Sequence, residues 1–320
     1  MVQNQKTRNN IKNILVGIIS FLIPVIGIVR IASSKKDSVG AKIAKCIVYM
    51  IFWIYTASLI FLIAWAFYNS LKTDDEFWSN MNAFPSVWNF TNYVDAYRFI
   101  EHNGTGFIGM FINSIWFAAG ASLLGTLSHA VTGYIFSKYH FPGRELAFSF
   151  ITFTIALPIV GSLPSMYNVV YSLHLEESPL FLISCLGGFG SNFLIMYAFF
   201  KGIDRTYMEA AEMDGATRFG TFFKIMLPLA KGPFLSLFLL TFITQWNNYE
   251  TPILFLSQMP TLSSGLYEFS MVMRFPQENI VSPQMTFYAG TLLASIPVII
   301  LVSVFGEKLM TNVNTGGIKG

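Results

Sequence analysis

The stretch Ile47–Leu71, IVYMIFWIYTASLIFLIAWAFYNSL, runs 25 residues without one charged side chain. About 20 mostly apolar residues are enough to cross the roughly 30 Å of hydrocarbon in a bilayer. A membrane-barrel strand would instead alternate in polarity over about 10 residues, and this run does not alternate. In lipid the backbone N–H and C=O groups must pair within their own segment, so the run is read as a helix. Working outward from it, five more stretches meet the same test: Phe107–Phe136, Phe148–Tyr171, Pro179–Phe200, Phe234–Leu256 and Thr286–Phe305. The fold class that follows is an all-α integral membrane protein with six core helices.

The composition of the 320-residue chain agrees, with 53% hydrophobic and 12% charged residues and 32 Phe. A soluble domain is usually about a quarter charged, so two soluble domains and a disordered chain are both excluded. The net charge of +3 is too small to argue for a nucleic-acid surface. Cys46 and Cys185 both sit in apolar runs, so neither a disulfide framework nor a metal site is expected.

A seventh apolar stretch, Ile14–Val29, is interrupted by Gly17, Pro24 and Gly27 and flanked by Lys6, Arg8, Lys12 and Arg30. It lacks the small-residue cleavage site of a signal peptide. A short spanning helix and a re-entrant or interfacial hairpin both fit it. Loop charge orients the rest, because cytoplasmic loops collect Lys and Arg. Thirteen such residues fall on one side: Lys35, Lys36, Lys42, Lys45, Lys138, Arg144, Lys201, Arg205, Arg218, Lys224, Lys231, Lys308 and Lys319. The other side holds three, Lys72, Arg98 and Arg274, together with acids such as Asp74, Asp75, Glu76, Asp95 and Glu101. Six spans with both ends of the core cytoplasmic satisfy this split. A true seventh span would put Lys6, Arg8 and Lys12 outside, which favours the hairpin. The chain is thus divided into an extension at 1–45, a transmembrane region at 46–310 with a cytoplasmic loop at 201–233, and a tail at 311–320.

That loop is not a featureless linker. Met208-Glu209-Ala210-Ala211-Glu212-Met213 is strong helix-forming sequence, and Gly215 suits a helix stop. Thr217 is placed to cap a second short helix carrying Phe219, Phe222, Phe223 and Ile225, which Pro228 closes. An ordinary amphipathic connector would read in much the same way, so the residue types alone leave the role of the loop open.

The spacing carries more. Glu209-Ala210-Ala211, then Gly215, then Ile225-x-Leu227-Pro228, in the cytoplasmic loop before the penultimate helix, resembles the EAA loop of ABC-importer permeases. Trp246-Asn247-Asn248-Tyr249 resembles a segment common in the carbohydrate permeases of that family. So do Asn113-Ser114 and the run from Tyr134 through Lys138-Tyr139-x-Phe141-Pro142-Gly143-Arg144. The C-terminus, Thr315-Gly316-Gly317-Ile318-Lys319-Gly320, is similar to the tail of the maltose-system permease. Over roughly 50–320 the chain resembles the maltose-G-type, or second, permease subunit of oligosaccharide importers. The resemblance implies a type I ABC-importer transmembrane domain in a bacterial cytoplasmic membrane. Implied partners are a second, different permease, two ATPase subunits and an extracytoplasmic sugar-binding protein. Glu209, Ala210, Ala211, Asp214 and Gly215 would form the surface that docks on the ATPase. Ile225, Leu227 and Pro228 would set how the loop re-enters the membrane. Thr315, Gly316, Gly317 and Lys319 would reach between the ATPase subunits.

Ionisable groups within a bilayer are functional suspects, and the spans hold only His129 and Glu250. No paired carboxylates, Ser/His/Asp set or His/Glu cluster accompany them, so no catalytic residue, metal ligand or proton relay is expected. A lone His129 reads as a packing residue between helices. Gly215 to Thr221 superficially resembles a phosphate loop, yet Thr221 stands where the Lys should be and no strand precedes it. ATP and Mg are therefore expected on the partner ATPase, with no cofactor on this chain. Gln245, Trp246, Asn247, Asn248 and Tyr249 offer amides and rings suited to sugar hydroxyls and C–H faces. The same residues could equally bond helices to one another. Pro158, Gly161 and Pro164 are expected to break the third run and make it a gate candidate. The cargo expected is an oligosaccharide. A polyol or glycerol phosphate is the alternative, although a phosphate should bring cations into the spans and none is there. A membrane enzyme or receptor without an ATPase fits the loop spacing poorly.

Overall fold

The computed structural model describes residues 38–157, 161–187, 189–275 and 280–315, with isolated positions at 28, 31 and 33; from residue 307 onward only the backbone is described. The undecided stretch Ile14–Val29 and the tail residues Gly316, Gly317 and Lys319 lie outside the described residues, apart from the isolated position 28. Three runs are uninterrupted helices: α1 (Val39–Asn69), α4 (Phe107–Lys138) and α13 (Pro283–Thr315). Between α1 and α4, on the outer side, lie α2 (Asp74–Ser79) and α3 (Thr91–Phe99).

The other three runs are not single helices: the third divides where a break was expected, and the fourth and fifth divide where continuous spans were expected. The run Phe148–Tyr171 becomes α5 (Arg144–Ala156) and α6 (Ser162–Ser172). Leu157 is extended, at φ −83° and ψ 131°, as a residue before proline prefers. Gly161 follows at φ +87°. Pro164 is not part of this break. It sits in the first turn of α6, where a missing N–H removes no helical bond. The run Pro179–Phe200 opens as a 3₁₀ segment (Pro179–Cys185) and continues as α7 (Ser191–Gly202). Gly187 and Gly190 lie between the two, and glycine resists helix by its backbone entropy. The run Phe234–Leu256 divides into α10 (Lys231–Trp246) and α11 (Glu250–Phe255). There the Asn248 carboxamide competes with the helix and accepts the Thr251 N–H at 3.1 Å. The cytoplasmic loop contributes α8 (Thr206–Met213) and α9 (Arg218–Leu229), and α12 (Leu262–Val272) lies on the outer side.

Helix α4 is the post on which α7, α10, α12 and the 3₁₀ segment pack. Its buried positions are dominated by small residues: Ala118, Ala121, Ser122, Gly125, Ala130 and Gly133. Small residues let membrane helices approach closely. A Cβ at Gly133 would stand 2.8 Å from the Tyr197 backbone nitrogen on α7, and one at Gly125 would stand 3.3 Å from the Cys185 carbonyl oxygen. Near the outer end, the Asn113 amide donates to the Pro260 carbonyl (3.0 Å) and the Leu262 N–H donates to Ser114 Oγ (2.7 Å), which ties α4 to the start of α12. His129 faces Gly187 and Gly190, whose missing side chains leave room for the ring.

Gly133→Val should therefore force α4 and α7 apart. A cost of about 1–3 kcal/mol is expected for such overpacking, read as a lower thermal midpoint of the purified chain. An unchanged midpoint would contradict the close approach.

Candidate functional site

The loop at 201–233 folds as a helix–turn–helix against the cytoplasmic ends of α4 and α7. Asp204 accepts the Thr206 N–H at 3.0 Å as α8 begins, and that bond holds its carboxyl below the usual carboxylate range. Helix α8 ends at Gly215 in a complete Schellman arrangement. The Gly215 N–H reaches the Glu212 carbonyl at 3.0 Å, and the Ala216 N–H reaches that of Ala211 at 2.9 Å. This needs Gly215 in the left-handed region, at φ +78°, where a side chain costs about 1–2 kcal/mol. Thr217 then caps α9 by accepting the Gly220 N–H at 3.1 Å.

Helical periodicity splits the Glu-Ala-Ala motif. Glu209 and Ala210 are exposed, as are Glu212, Met213 and Asp214, while Met208 and Ala211 are buried. Ala211 is therefore not part of an open docking surface in this chain, contrary to the reading from sequence. It shares the inward face with Met208, three residues away. Glu209, Glu212 and Asp214 form no ion pair among the described residues, which leaves their carboxylates available to a partner.

Behind that surface the loop is rooted in the membrane domain. Phe222 on α9 packs against Tyr134 of α4 at 5.1 Å between ring centroids and against Phe200 of α7 at 6.4 Å. Met196, Met208 and Met226 complete this cluster. The Arg218 guanidinium lies 5.7 Å from the Tyr139 ring centroid. Lys138, the last residue of α4, donates from its ammonium to the Ile203 carbonyl just past α7. Arg205 returns a bond to the Lys138 carbonyl at 3.4 Å. Lys138, in the last turn of α4, also suits the dipole of that helix. Ile225 and Leu227 are half-buried. Pro228 lies in the last turn of α9 rather than beyond it, and the axis then turns by 80° into α10. A pocket of about 410 Å³, lined by Tyr134, Tyr139, His140, Arg218, Phe219 and Phe222, opens beside this joint. The sequence marked Tyr134, Lys138 and Tyr139 without revealing what they hold, because their partners lie 60 to 90 positions away.

Residues 129–313 match the family model described as binding-protein-dependent transport system inner membrane component. The chain belongs to this family. It is a multi-pass inner-membrane component of a binding-protein-dependent ABC importer, a transporter subunit rather than an enzyme. The arabinooligosaccharide transport system permease of Bacillus subtilis (strain 168) is 29% identical over 252 residues, covering 75% of this chain and 83% of that protein. The diacetylchitobiose uptake system permease of Streptomyces coelicolor is 24% identical over 292 residues, covering 89% of this chain and 91% of that one. The fold is shared with a bacterial ABC transporter involved in the import of the acidic polysaccharide alginate, at a TM-score of 0.71 and 21% identity. That match covers 86% of this chain and 99% of the other.

The remaining sites of the importer subunit divide unevenly. Trp246 is buried, donates from its indole to the Ala294 carbonyl at 3.1 Å, and stacks on Phe242 at 5.8 Å, so it joins α10 to α13. Asn248 is engaged by Gln245, Thr251 and Ser263 at the α10–α11 break. Asn247 is exposed, and Tyr249 stacks on Tyr267 at 4.4 Å. Glu250 opens α11, where an acid favours the helix dipole. Pro158 lies outside the described residues, and Thr315 is the last residue of α13.

Phe222→Ala should cost about 3–5 kcal/mol through the cavity it leaves, read as a marked fall in thermal midpoint. Phe219→Ala, whose ring is 79% exposed, should shift stability by no more than about 0.5 kcal/mol.

Proposed function

We propose that this subunit imports a carbohydrate, an oligosaccharide before other cargoes, by alternating access driven from a separate ATPase. It would work beside a second, different permease chain, two ATPase subunits that hold ATP and Mg, and an extracytoplasmic receptor. The observation that carries the coupling role is the two-faced α8. Its outer face presents Glu209, Glu212 and Asp214, which form no ion pair among the described residues, beside exposed Met213. Its inner face is keyed through Met208 into the Tyr134–Phe222 cluster. A push on α8 is thereby delivered to the ends of α4 and α7, and through the 80° joint to α10. Ala210 leaves the outer face thin, so another backbone can come close. Thr315, Gly316, Gly317 and Lys319 are proposed to add a second contact to the ATPase.

The cargo class is supported by relatives named for transport of arabinooligosaccharides, diacetylchitobiose, trehalose and maltodextrin. It is also supported by spans free of cations, which count against the glycerol phosphate for which another relative is named. For the path we retain Gln245, Asn247 and Tyr249. Trp246 and Asn248 serve helix packing. The junction between α5 and α6, with Pro158 and Gly161, is retained as the gate candidate because Leu157 is extended and Gly161 takes a φ of +87°.

Glu209→Lys and Gly215→Asp should abolish uptake while the chain stays in the membrane, the first by reversing charge on the docking face and the second by breaking the left-handed turn. Immunoblotting of membranes beside an uptake assay checks both. Normal transport by either variant, or failure of the purified chain to retain an ATPase subunit, would refute the coupling assignment. Competition of uptake by a panel of oligosaccharides, polyols and glycerol phosphate should show inhibition by an oligosaccharide alone.

A further inference from the structure

The outer segment Phe77–Phe90, FWSNMNAFPSVWNF, contains no charged residue although it is no span. It is held firmly. The Lys72 side chain is fully buried and donates to the carbonyls of Asn80 (3.0 Å) and Met81 (3.3 Å). Ser86 donates from its N–H and hydroxyl to the Glu76 carboxylate. Asn92 donates to the carbonyls of Ser70 and Lys72, each at 2.8 Å. A rigid aqueous loop would turn its rings inward, yet Trp78, Phe84, Val87, Trp88 and Phe90 are between 57% and 78% exposed. An exposed apolar patch of this kind marks a partner.

The depth of the loop identifies that partner. Among the described residues, the apolar window of helix α1 holds no buried residue, as suits a membrane-crossing helix at the rim of the bundle. Counting up from Lys45 at its cytoplasmic end, Trp65 stands about 30 Å higher at 1.5 Å per residue, at the far edge of the hydrocarbon. The loop doubles back to that level. The Trp65 indole donates to the Asn82 side-chain oxygen at 3.3 Å, and the Tyr68 hydroxyl donates to the Asn82 carbonyl at 3.5 Å. Phe84 lies 5.1 Å from the Tyr68 ring, and the Asn89 N–H donates to the Leu71 carbonyl at 2.8 Å. Trp and Tyr concentrate at headgroup depth because their rings are apolar and their N–H or O–H groups remain wet. Acids, absent from the loop, stand on either side of it at Asp74, Asp75, Asp95 and Glu101.

We propose that Phe77–Phe90 is an interfacial anchor whose exposed rings lie in the headgroup layer of the outer leaflet, fixing the outer end of α1 to the lipid surface. The occupant is lipid, and the claim does not depend on the cargo.

The test uses the full chain purified with its importer partners, carrying Cys46→Ser, Cys185→Ala and one new cysteine, Phe84→Cys or Val87→Cys, labelled with an environment-sensitive fluorophore. It is placed in vesicles of phosphatidylethanolamine and phosphatidylglycerol without receptor, and Asp75→Cys serves as the aqueous control. Expected at 84 and 87 are a blue shift, quenching by a nitroxide on the lipid headgroup, and loss of the iodide quenching seen at 75. Iodide quenching equal to that at 75, with no effect of the headgroup nitroxide, overturns the proposal. So does protection from both quenchers, which would mean that another chain covers the loop. Protection appearing only when loaded receptor is added overturns it as well and makes the loop a receptor-docking surface.

Discussion

Helix α4 serves as the post of the molecule because the small residues Ala118, Ala121, Ser122, Gly125, Ala130 and Gly133 let its neighbours come close. At Gly133 the α7 backbone is so near that even a methyl group would collide with it. In lipid, the hydrophobic effect does not drive helices together, so close van der Waals contact and hydrogen bonds must. The interrupted helices around α4 depend on this. Their free backbone groups are tolerable only where neighbouring protein shields them from hydrocarbon. The 3₁₀ segment beside Gly125 is such a case.

The coupling segment is an extension of the same packing. Tyr134 stands on the last turns of α4 and meets Phe200 from α7 and Phe222 from α9 in one cluster. Side chains packed at close to crystalline density transmit displacement rather than absorb it. A displacement of α8, which enters this cluster through Met208, would therefore be passed to α4 and α7 together. The Lys138 and Arg205 bonds, which cross between the ends of α4 and α7, keep the two from sliding separately.

How far the sequence could be read varied with the reach of the interactions. The helix stop at Gly215 and the cap at Thr217 were legible because both are satisfied within five residues. The break before Pro158 was legible for the same local reason, since Leu157 cannot stay helical ahead of a proline ring. The break at Gly187–Gly190 was equally local, and its clustered glycines were the available signal. Pro164 misled because a proline breaks a helix or starts one according to its position in the turn. Ala211 misled because exposure depends on which face the rest of the chain covers.

By itself, the sequence determined that the chain is a bundle of membrane helices, how its cations divide between the loops, and where the turn at Gly215 lies. These follow from hydrocarbon thickness, from the unequal distribution of cations and from backbone rules acting over a few residues. Only the tertiary structure decided that the Trp246 indole bonds to α13, that Ser114 receives the Leu262 N–H, and that Phe222 packs beside Tyr134. Those outcomes depend on atoms brought within a few ångströms from positions 40 to 150 residues apart, and no local pattern encodes such neighbours.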